Sequence, residues 1–205
     1  KNFGKSIRAR LLNVAKQEEV FYQTILTRYF QERLLYRISQ TRYRENFYLK
    51  GGALMYAYER FAARPTLDID FLGTRISNDG KRIAEAFREI CSVDCKEDGV
   101  QYDCDKIVTQ NITEFKDYHG VRLSIPVAMD TIAQVLTMDV GFGDVVTPHP
   151  VSLDYPLLLE GLPEASILAY STETVIAEKM HAIIDLADQS SRMKDYYDIY
   201  HLLTS

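Results

Sequence analysis

The segment Thr66-Leu67-Asp68-Ile69-Asp70-Phe71-Leu72 constrains the fold more than any other stretch, because apolar residues alternate in it with acidic ones. This period of two predicts a strand with Leu67, Ile69 and Phe71 on one face and both acids on the other, ~7 Å apart. Two such carboxylates repel each other and lose hydration when buried. A divalent cation such as Mg²⁺ would offset both costs, although a strand with a solvated polar face also fits the pattern.

A strand–turn–helix unit precedes this strand. The apolar run Phe47-Tyr48-Leu49 ends in Lys50-Gly51-Gly52, and Ala53 to Phe61 has a helical pattern that Arg64-Pro65 stops. Glycines at a helix start let a ligand approach the backbone, and the exposed amides there favour a phosphate. A plain turn between strand and helix would have the same sequence.

A third candidate acid, Asp139, lies in the apolar segment Ala133 to Phe142, which predicts another strand. Beside the first strand it would complete a cluster of three carboxylates with Asp68 and Asp70. Such a cluster can hold two metal ions ~3.5–4 Å apart, which stabilise the attacking and leaving oxygens of an in-line displacement. Alone, Asp139 could equally mark a strand end, since glycines follow it.

The C-terminal part of the chain predicts two helices, one from Thr172 to Ala187 with Thr172 as N-cap, and one from Lys194 onward. Lys179 falls at the edge of an apolar stripe of the first helix, formed by Val175, Ile176, Met180, Ile183, Ile184 and Ala187. Its stem could lie along that stripe with its charge in water, or its ammonium could bind a triphosphate. Asp195 and Asp198 share a face near the start of the second helix, where capping accounts for one acid but not for both.

These elements indicate an α+β fold, with a mixed sheet flanked by helices. We expect an N-terminal helical segment at 1–45 packed on the core, an α/β core at 46–170 and a C-terminal helical region at 171–205. Further elements predicted are one or two amphipathic helices from Ile7 to about Arg42, a helix from Asp79 to about Ile90, and strands within 100–114, 120–128, 148–159 and 166–170.

Composition excludes several classes of protein. The 205 residues include 46% hydrophobic and 26% charged residues, so global disorder is excluded, and no apolar run is long enough for a membrane span. Three unevenly spaced cysteines make a disulfide scaffold unsuitable, and a cytoplasmic location is expected. Residues 1–64 carry 13 Lys+Arg against 5 Asp+Glu, within a net charge of −5, so this third of the chain could contact a polyanion or form a solvated helix face.

Five segments together resemble the AbiEii/AbiGii toxin family of nucleotidyltransferase-like proteins, within the polymerase-β-like nucleotidyltransferase superfamily. The resemblance rests on the order and spacing of these segments over about 150 residues more than on any single segment. The segments are Leu49-Lys50-Gly51-Gly52-Ala53-Leu54, Arg64 with Thr66 to Phe71, Met138-Asp139-Val140, Ala177-Glu178-Lys179-Met180-His181-Ala182, and Arg192-x-Lys194-Asp195-x-x-Asp198-Ile199-Tyr200.

The resemblance implies a role for each matching residue. Metal-binding residues would be Asp68, Asp70 and Asp139, and Asp139 would also assist attack by the acceptor hydroxyl. Lys179 would be the family's nucleotide-binding lysine and Asp195 the acid of its last motif. The implied catalytic set is Asp68, Asp70, Asp139, Lys179 and Asp195, and the implied nucleotide site is Lys50, Gly51, Gly52, Lys179 and Asp198.

The function implied is nucleotidyl transfer from a nucleoside triphosphate (NTP) with Mg²⁺ or Mn²⁺, in a toxin–antitoxin or abortive-infection system. The acceptor would be the 3′ end of tRNA, and a cognate antitoxin protein would be a partner. Family members usually continue into more C-terminal helices, so the resemblance also predicts that this region is truncated here. Two alternatives stay open: a catalytically inactive module of the same fold that binds nucleotide or RNA, and an aspartate-dependent phosphohydrolase.

Overall fold

The structure is a computed structural model, and it describes residues 2–114, 118–147, 149–185 and 193–204. Ala187 and Arg192, which the sequence singled out, lie outside these residues, as does Pro148 at the start of one predicted strand. The predicted N-terminal helical stretch divides into two helices. The described α-helices are α1 (Phe3–Gln17), α2 (Tyr22–Ser39), α3 (Gly51–Glu59), α4 (Gly80–Cys91), α5 (Thr172–Asp185) and α6 (Met193–Thr204).

The described strands form one mixed sheet in the order β3-β5-β6-β2-β1-β8-β7, with β4 paired to β5 outside this path. Their bounds are β1 (Phe47–Lys50), β2 (Asp68–Gly73), β3 (Gln101–Tyr102), β4 (Val108–Glu114), β5 (Tyr118–Met129), β6 (Ile132–Phe142), β7 (Val151–Tyr155) and β8 (Ala165–Ala169). The α+β fold class with helices around a mixed sheet is therefore confirmed.

Strands β2 and β6 lie side by side in parallel, although more than fifty residues separate them in the chain. On its other edge β2 pairs with β1 in the antiparallel sense, and β5 forms an antiparallel hairpin with β6. The four central strands β1, β2, β6 and β5 therefore bring the predicted acidic strands into one register. Leu67 falls just before β2 and is exposed, so its predicted place in the alternation is wrong.

The two N-terminal helices pack on the sheet and contribute to the same hydrophobic core as the strands. Ile7 and Leu11 of α1 and Ile25 and Leu34 of α2 belong to this core. Helix α2 is buried on nearly all sides, and its buried residues include Arg28, Arg33 and Arg37. The core thus extends from the first helix to the start of α5.

The buried arginines of α2 overturn both interpretations of the basic N-terminal third for this helix, since they face neither a polyanion nor solvent. Arg37 forms a buried ion pair with Asp98 at 2.7 Å. Arg28 donates to the carbonyl of Ala63, and Arg33 donates to the carbonyl of Pro163. Burial of an arginine is tolerated only when such partners replace water, so these charges serve the fold.

All three cysteines are free thiols. None of the described helices combines the length and the apolar composition of a membrane span.

Candidate active site

The turn between β1 and α3 is built around Asp70 and Thr66. Gly51 has φ +67°, and a Cβ there would lie 2.0 Å from Oδ2 of Asp70, so only glycine fits against this carboxylate. A Cβ on Gly52 would lie 2.7 Å from Cβ of Thr66. Both glycines are therefore required by protein contacts, whatever ligand their amides bind. Lys50, the N-cap of α3, makes no side-chain hydrogen bond to the amides of the first turn.

Four charged side chains lie in one row across the central strands. Lys50 of β1 is the ladder partner of Asp70 of β2, Asp70 is the partner of Asp139 of β6, and Asp139 is the partner of Arg122 of β5. Ladder partners project from the same face of a sheet, with Cβ atoms ~4.5–5.5 Å apart. The charged row Lys50–Asp70–Asp139–Arg122 thus places two acids between two bases.

Asp68 and Asp70 sit on the same face of β2, and neither carboxylate receives a hydrogen bond or ion pair within the described part of the chain. Burial is the main cause that raises the pKa of Asp70, to about 6, and the charges of Asp139 and Asp68 raise it further while Lys50 lowers it. The pKa of Asp68 is raised by burial and by Asp139, and is lowered by Arg122. A cation bound between these two acids would relieve the cost of holding them ionised.

Asp139 has a different environment from the other two acids. Nε of Arg122 donates to its Oδ1 at 2.7 Å, and a terminal nitrogen of Arg122 donates to its Oδ2 at 2.6 Å. This is the bidentate fork that makes arginine–carboxylate pairs strong. Among the residues that the structure describes, no group of three acidic, histidine or cysteine side chains is arranged to hold a metal ion. The three acids therefore share one face, while Asp139 is directed to Arg122.

The side chain of Lys50 is held at one end of the charged row. Its ammonium donates to Oδ2 of Asp144 at 3.0 Å and to Oε1 of Glu178 at 2.5 Å. The hydroxyl of Tyr170 donates to the same Oδ2 of Asp144. These acids and Tyr170 raise the pKa of Lys50 although burial acts to lower it. The ammonium is thus fixed by protein groups.

A second cluster of charges surrounds Lys179, whose side chain is only 9% exposed. Its ammonium donates to Oδ2 of Asp198 at 2.6 Å and to Oδ1 of Asp195 at 3.1 Å. Arg64, which precedes β2, donates to both oxygens of Asp198 at 3.2–3.4 Å. The Lys179 cluster, formed by Lys179, Asp195, Asp198 and Arg64, is balanced in charge and buried between α5, α6 and the approach to β2.

The predicted surroundings of Lys179 are therefore wrong in two respects. The ammonium is buried, so its charge does not extend into water. Met180 and Ile184, assigned to the buried stripe of this helix, are exposed, because α5 turns its charged side toward α6. The predicted N-cap Thr172 is also wrong: the hydroxyl of Ser171 accepts a hydrogen bond from the amide of Thr174.

The structure thus gathers the predicted residues into two neighbouring groups. Gly51, Asp68, Asp70 and Asp139 lie together on the central strands, and Lys179, Asp195 and Asp198 lie together at α5 and α6. Adjacent residues of α5 connect these groups, because Glu178 contacts Lys50 while Lys179 contacts the acids of α6.

Sequence reasoning missed Arg122, Asp144 and Tyr170. For Arg122 a signal existed, because it alternates with Val121 and Leu123, which are buried, and so had to lie on the polar face of its strand. Asp144 and Tyr170 follow strand ends, where the sequence carries no comparable pattern.

Comparisons with known proteins agree with this architecture. A crystal structure described as a candidate nucleotidyltransferase from H. pylori superposes with a TM-score of 0.57 at 16% identity, over 89% of this chain and 69% of that one. The crystal structure of JHP933 from Helicobacter pylori gives a TM-score of 0.58 at 16% identity, over 88% of this chain and 66% of that one. Identity this low supports the fold, and the present chain spans about two thirds of the length of either protein. A comparison with curated proteins found no match.

A family model described as the nucleotidyl transferase AbiEii toxin of type IV toxin–antitoxin systems matches residues 33–205. The match includes β1, the two glycines, all three strand acids and the Lys179 cluster. It leaves out α1 and the first part of α2. The chain belongs to the AbiEii nucleotidyl transferase toxin family.

Proposed function

We propose that the protein transfers a nucleotidyl group from an NTP to the 3′ end of a tRNA, with Mg²⁺ or Mn²⁺, as the toxin of a toxin–antitoxin pair. The observation that carries this proposal is the register of β2 and β6, which sets Asp70 against Asp139 with Asp68 on the same face. Family membership supports the reaction class and an antitoxin partner. The cytoplasm is the compartment where NTPs and tRNA are available to it.

The residues present fit a hard divalent cation. Asp68 and Asp70 offer carboxylate oxygens, and burial is the main cause that raises the pKa of Asp70 to about 6, so a bound cation would help to hold it ionised. Mg²⁺ is typically bound through one or two carboxylates together with the phosphates of a substrate. When bound, the ion would neutralise charge on the triphosphate and on the departing pyrophosphate.

The residues around the two aspartates would orient the nucleotide. Gly51 and Gly52 begin α3, and their amides, with the helix dipole, would bind the phosphates. Lys50 would support this turn through its contacts with Asp144 and Glu178. Asp139 would face the acceptor hydroxyl and accept its proton as the oxygen attacks the α-phosphorus.

Lys179 would contribute a positive charge to the nucleotide site. Lys179 has two carboxylates within 3.1 Å, so a phosphate oxygen would replace one of them. Asp198 would keep its contact with Arg64, and Asp195 would return Lys179 to its resting position after release of pyrophosphate. This exchange assigns a role to each acid of α6.

A transfer assay tests the proposal. The protein is incubated with Mg²⁺, total tRNA and each of the four NTPs labelled at the α-phosphate, and the RNA is separated on a denaturing gel. Label from one or more NTPs should appear on tRNA. Asp70→Asn, checked for folding by circular dichroism, should abolish the label.

The same assay separates the alternatives. An NTP that raises the melting temperature without labelling RNA would point to the inactive binding module. Release of inorganic phosphate from the NTP, with no transfer, would point to a phosphohydrolase. If no NTP binds and no label moves, the proposed function is wrong.

A further inference from the structure

Arg122 lies beside the candidate active site, and neither the family match nor the sequence pattern gives it a role. It reaches Asp139 from the neighbouring strand β5 and occupies both carboxylate oxygens through Nε and a terminal nitrogen. Its side chain is 42% exposed and that of Asp139 is 17% exposed. Arg122 is therefore the more exposed partner of the pair.

The pair changes what Asp139 can do. A free carboxylate beside Asp70 could bridge two metal ions, but both oxygens of Asp139 are directed to the guanidinium. Asp68 and Asp70 receive no such donor within the described residues, so the three acids are not equivalent. A guanidinium remains charged at any relevant pH and cannot be displaced by deprotonation.

The charge balance of the row leads to the same conclusion. Lys50 is held by Asp144 and Glu178, and Arg122 is held by Asp139. Among the described residues, Asp68 and Asp70 accept no side-chain ion pair, and their two carboxylates together suffice for one divalent ion. A second divalent ion beside Asp139 would lie within a few ångströms of the fixed positive charge of Arg122, and the two would repel strongly in a partly buried site.

We propose that Arg122 is a positioning residue that replaces the second metal ion, so that the site binds one divalent cation at Asp68 and Asp70 while the guanidinium orients Asp139 toward the acceptor. This inference rests on the proposed function, because it concerns the metal requirement of the same site. The site would then hold one divalent ion, and the guanidinium of Arg122 would supply the second positive charge.

Binding of Mn²⁺ alone tests the proposal without any enzymatic activity. Free Mn²⁺ is measured by electron paramagnetic resonance during a titration of the full chain, which gives stoichiometry and affinity. The wild type should bind one ion. Arg122→Gln should bind two ions, or one ion about tenfold more tightly, because a neighbouring positive charge has been removed. Arg122→Lys keeps the charge and should still bind one ion.

The chain provides a closely matched control. Arg8 pairs with Asp130 at the opposite end of the same β5–β6 hairpin, and the two side chains are again 42% and 17% exposed. Arg8→Gln removes the same charge from an equally exposed pair and should leave Mn²⁺ binding unchanged. Circular dichroism and melting temperature establish that each variant is folded.

The outcomes separate this inference from the proposed function. Two ions in the wild type would overturn the role of Arg122 and leave metal-dependent transfer in place. Identical Mn²⁺ binding by the wild type and Arg122→Gln would also overturn it. No Mn²⁺ binding by the wild type, with or without an NTP, would defeat the metal-dependent function itself, and the inference with it.

Discussion

The most direct consequence of the structure concerns Lys179→Met. Methionine retains the length of the aliphatic stem, and a lysine at the solvent edge of an apolar stripe would tolerate this change. The structure predicts the opposite, because the side chain of Lys179 is 9% exposed and its ammonium lies 2.6 Å from Asp198 and 3.1 Å from Asp195. Removal of the charge leaves the Lys179 cluster with one positive and two negative groups in a buried position.

The expected magnitude follows from the geometry. Loss of one partner from a buried ion pair typically costs ~3–5 kcal/mol. Asp198 keeps Arg64 at 3.2 Å, so the lower end of this range applies. A loss of about 3 kcal/mol corresponds to a melting temperature lower by roughly 6–12 °C for a chain of this size.

The assay is urea unfolding at pH 7, followed by circular dichroism, together with a thermal scan. Lys106→Met is the control, since Lys106 pairs with Asp103 at 2.7 Å but is 75% exposed, and an exposed pair contributes little. Adding Asp195→Asn to Lys179→Met should recover part of the lost stability, because the amide carries no charge. A Lys179→Met protein that unfolds at the urea concentration of the wild type would refute the buried cluster.

The remaining predictions concern the strand acids. Gly51→Ala should destabilise the protein more than Gly161→Ala. Alanine at either site adopts a positive φ, which costs about 1–2 kcal/mol, but only at Gly51 would the new Cβ also meet Asp70. Equal losses of stability in urea unfolding would contradict this. The pKa of Asp70 is raised from the ordinary 3.8 to about 6 in the native state, so native Asp70 stays protonated at pH values where the unfolded chain has lost this proton. The free energy of unfolding should therefore fall as pH rises from about 4 to about 6. Asp70→Asn should reduce that fall, and an unchanged pH profile of urea midpoints would contradict the assignment. Mg²⁺ with an NTP should raise the melting temperature of the wild type and leave that of Asp70→Asn unchanged; an equal rise in both would remove Asp70 from the site.

The sequence by itself determined the local structure around the acids. Alternation placed Asp68 and Asp70 on one face of β2, because successive side chains of a strand point to opposite faces. The apolar run around Asp139 predicted β6, and the Gly51-Gly52 pair marked the change from strand to helix. These features depend on neighbours in the chain, which is why they could be predicted without the fold. The order of the motifs along the chain also predicted the family and its mixed sheet.

Only the tertiary structure decided which charges face each other. The parallel pairing of β2 with β6 joins segments that are distant in sequence, and the hairpin partner Arg122 then falls opposite Asp139. A shift of one residue in the register of β5 against β6 would have sent Arg122 to the face opposite Asp139. No local pattern fixes the register of β2 against β6.

Burial of the charged residues was decided in the same way. Helical periodicity locates an apolar stripe but does not say what covers the remaining faces. Lys179 is buried because α6 brings Asp195 and Asp198 against α5, whereas Met180 on the same helix is exposed. Arg37 of α2 is buried because Asp98, far along the chain, meets it. A charge can leave water only where a partner replaces it, and that partner is supplied by the assembled fold.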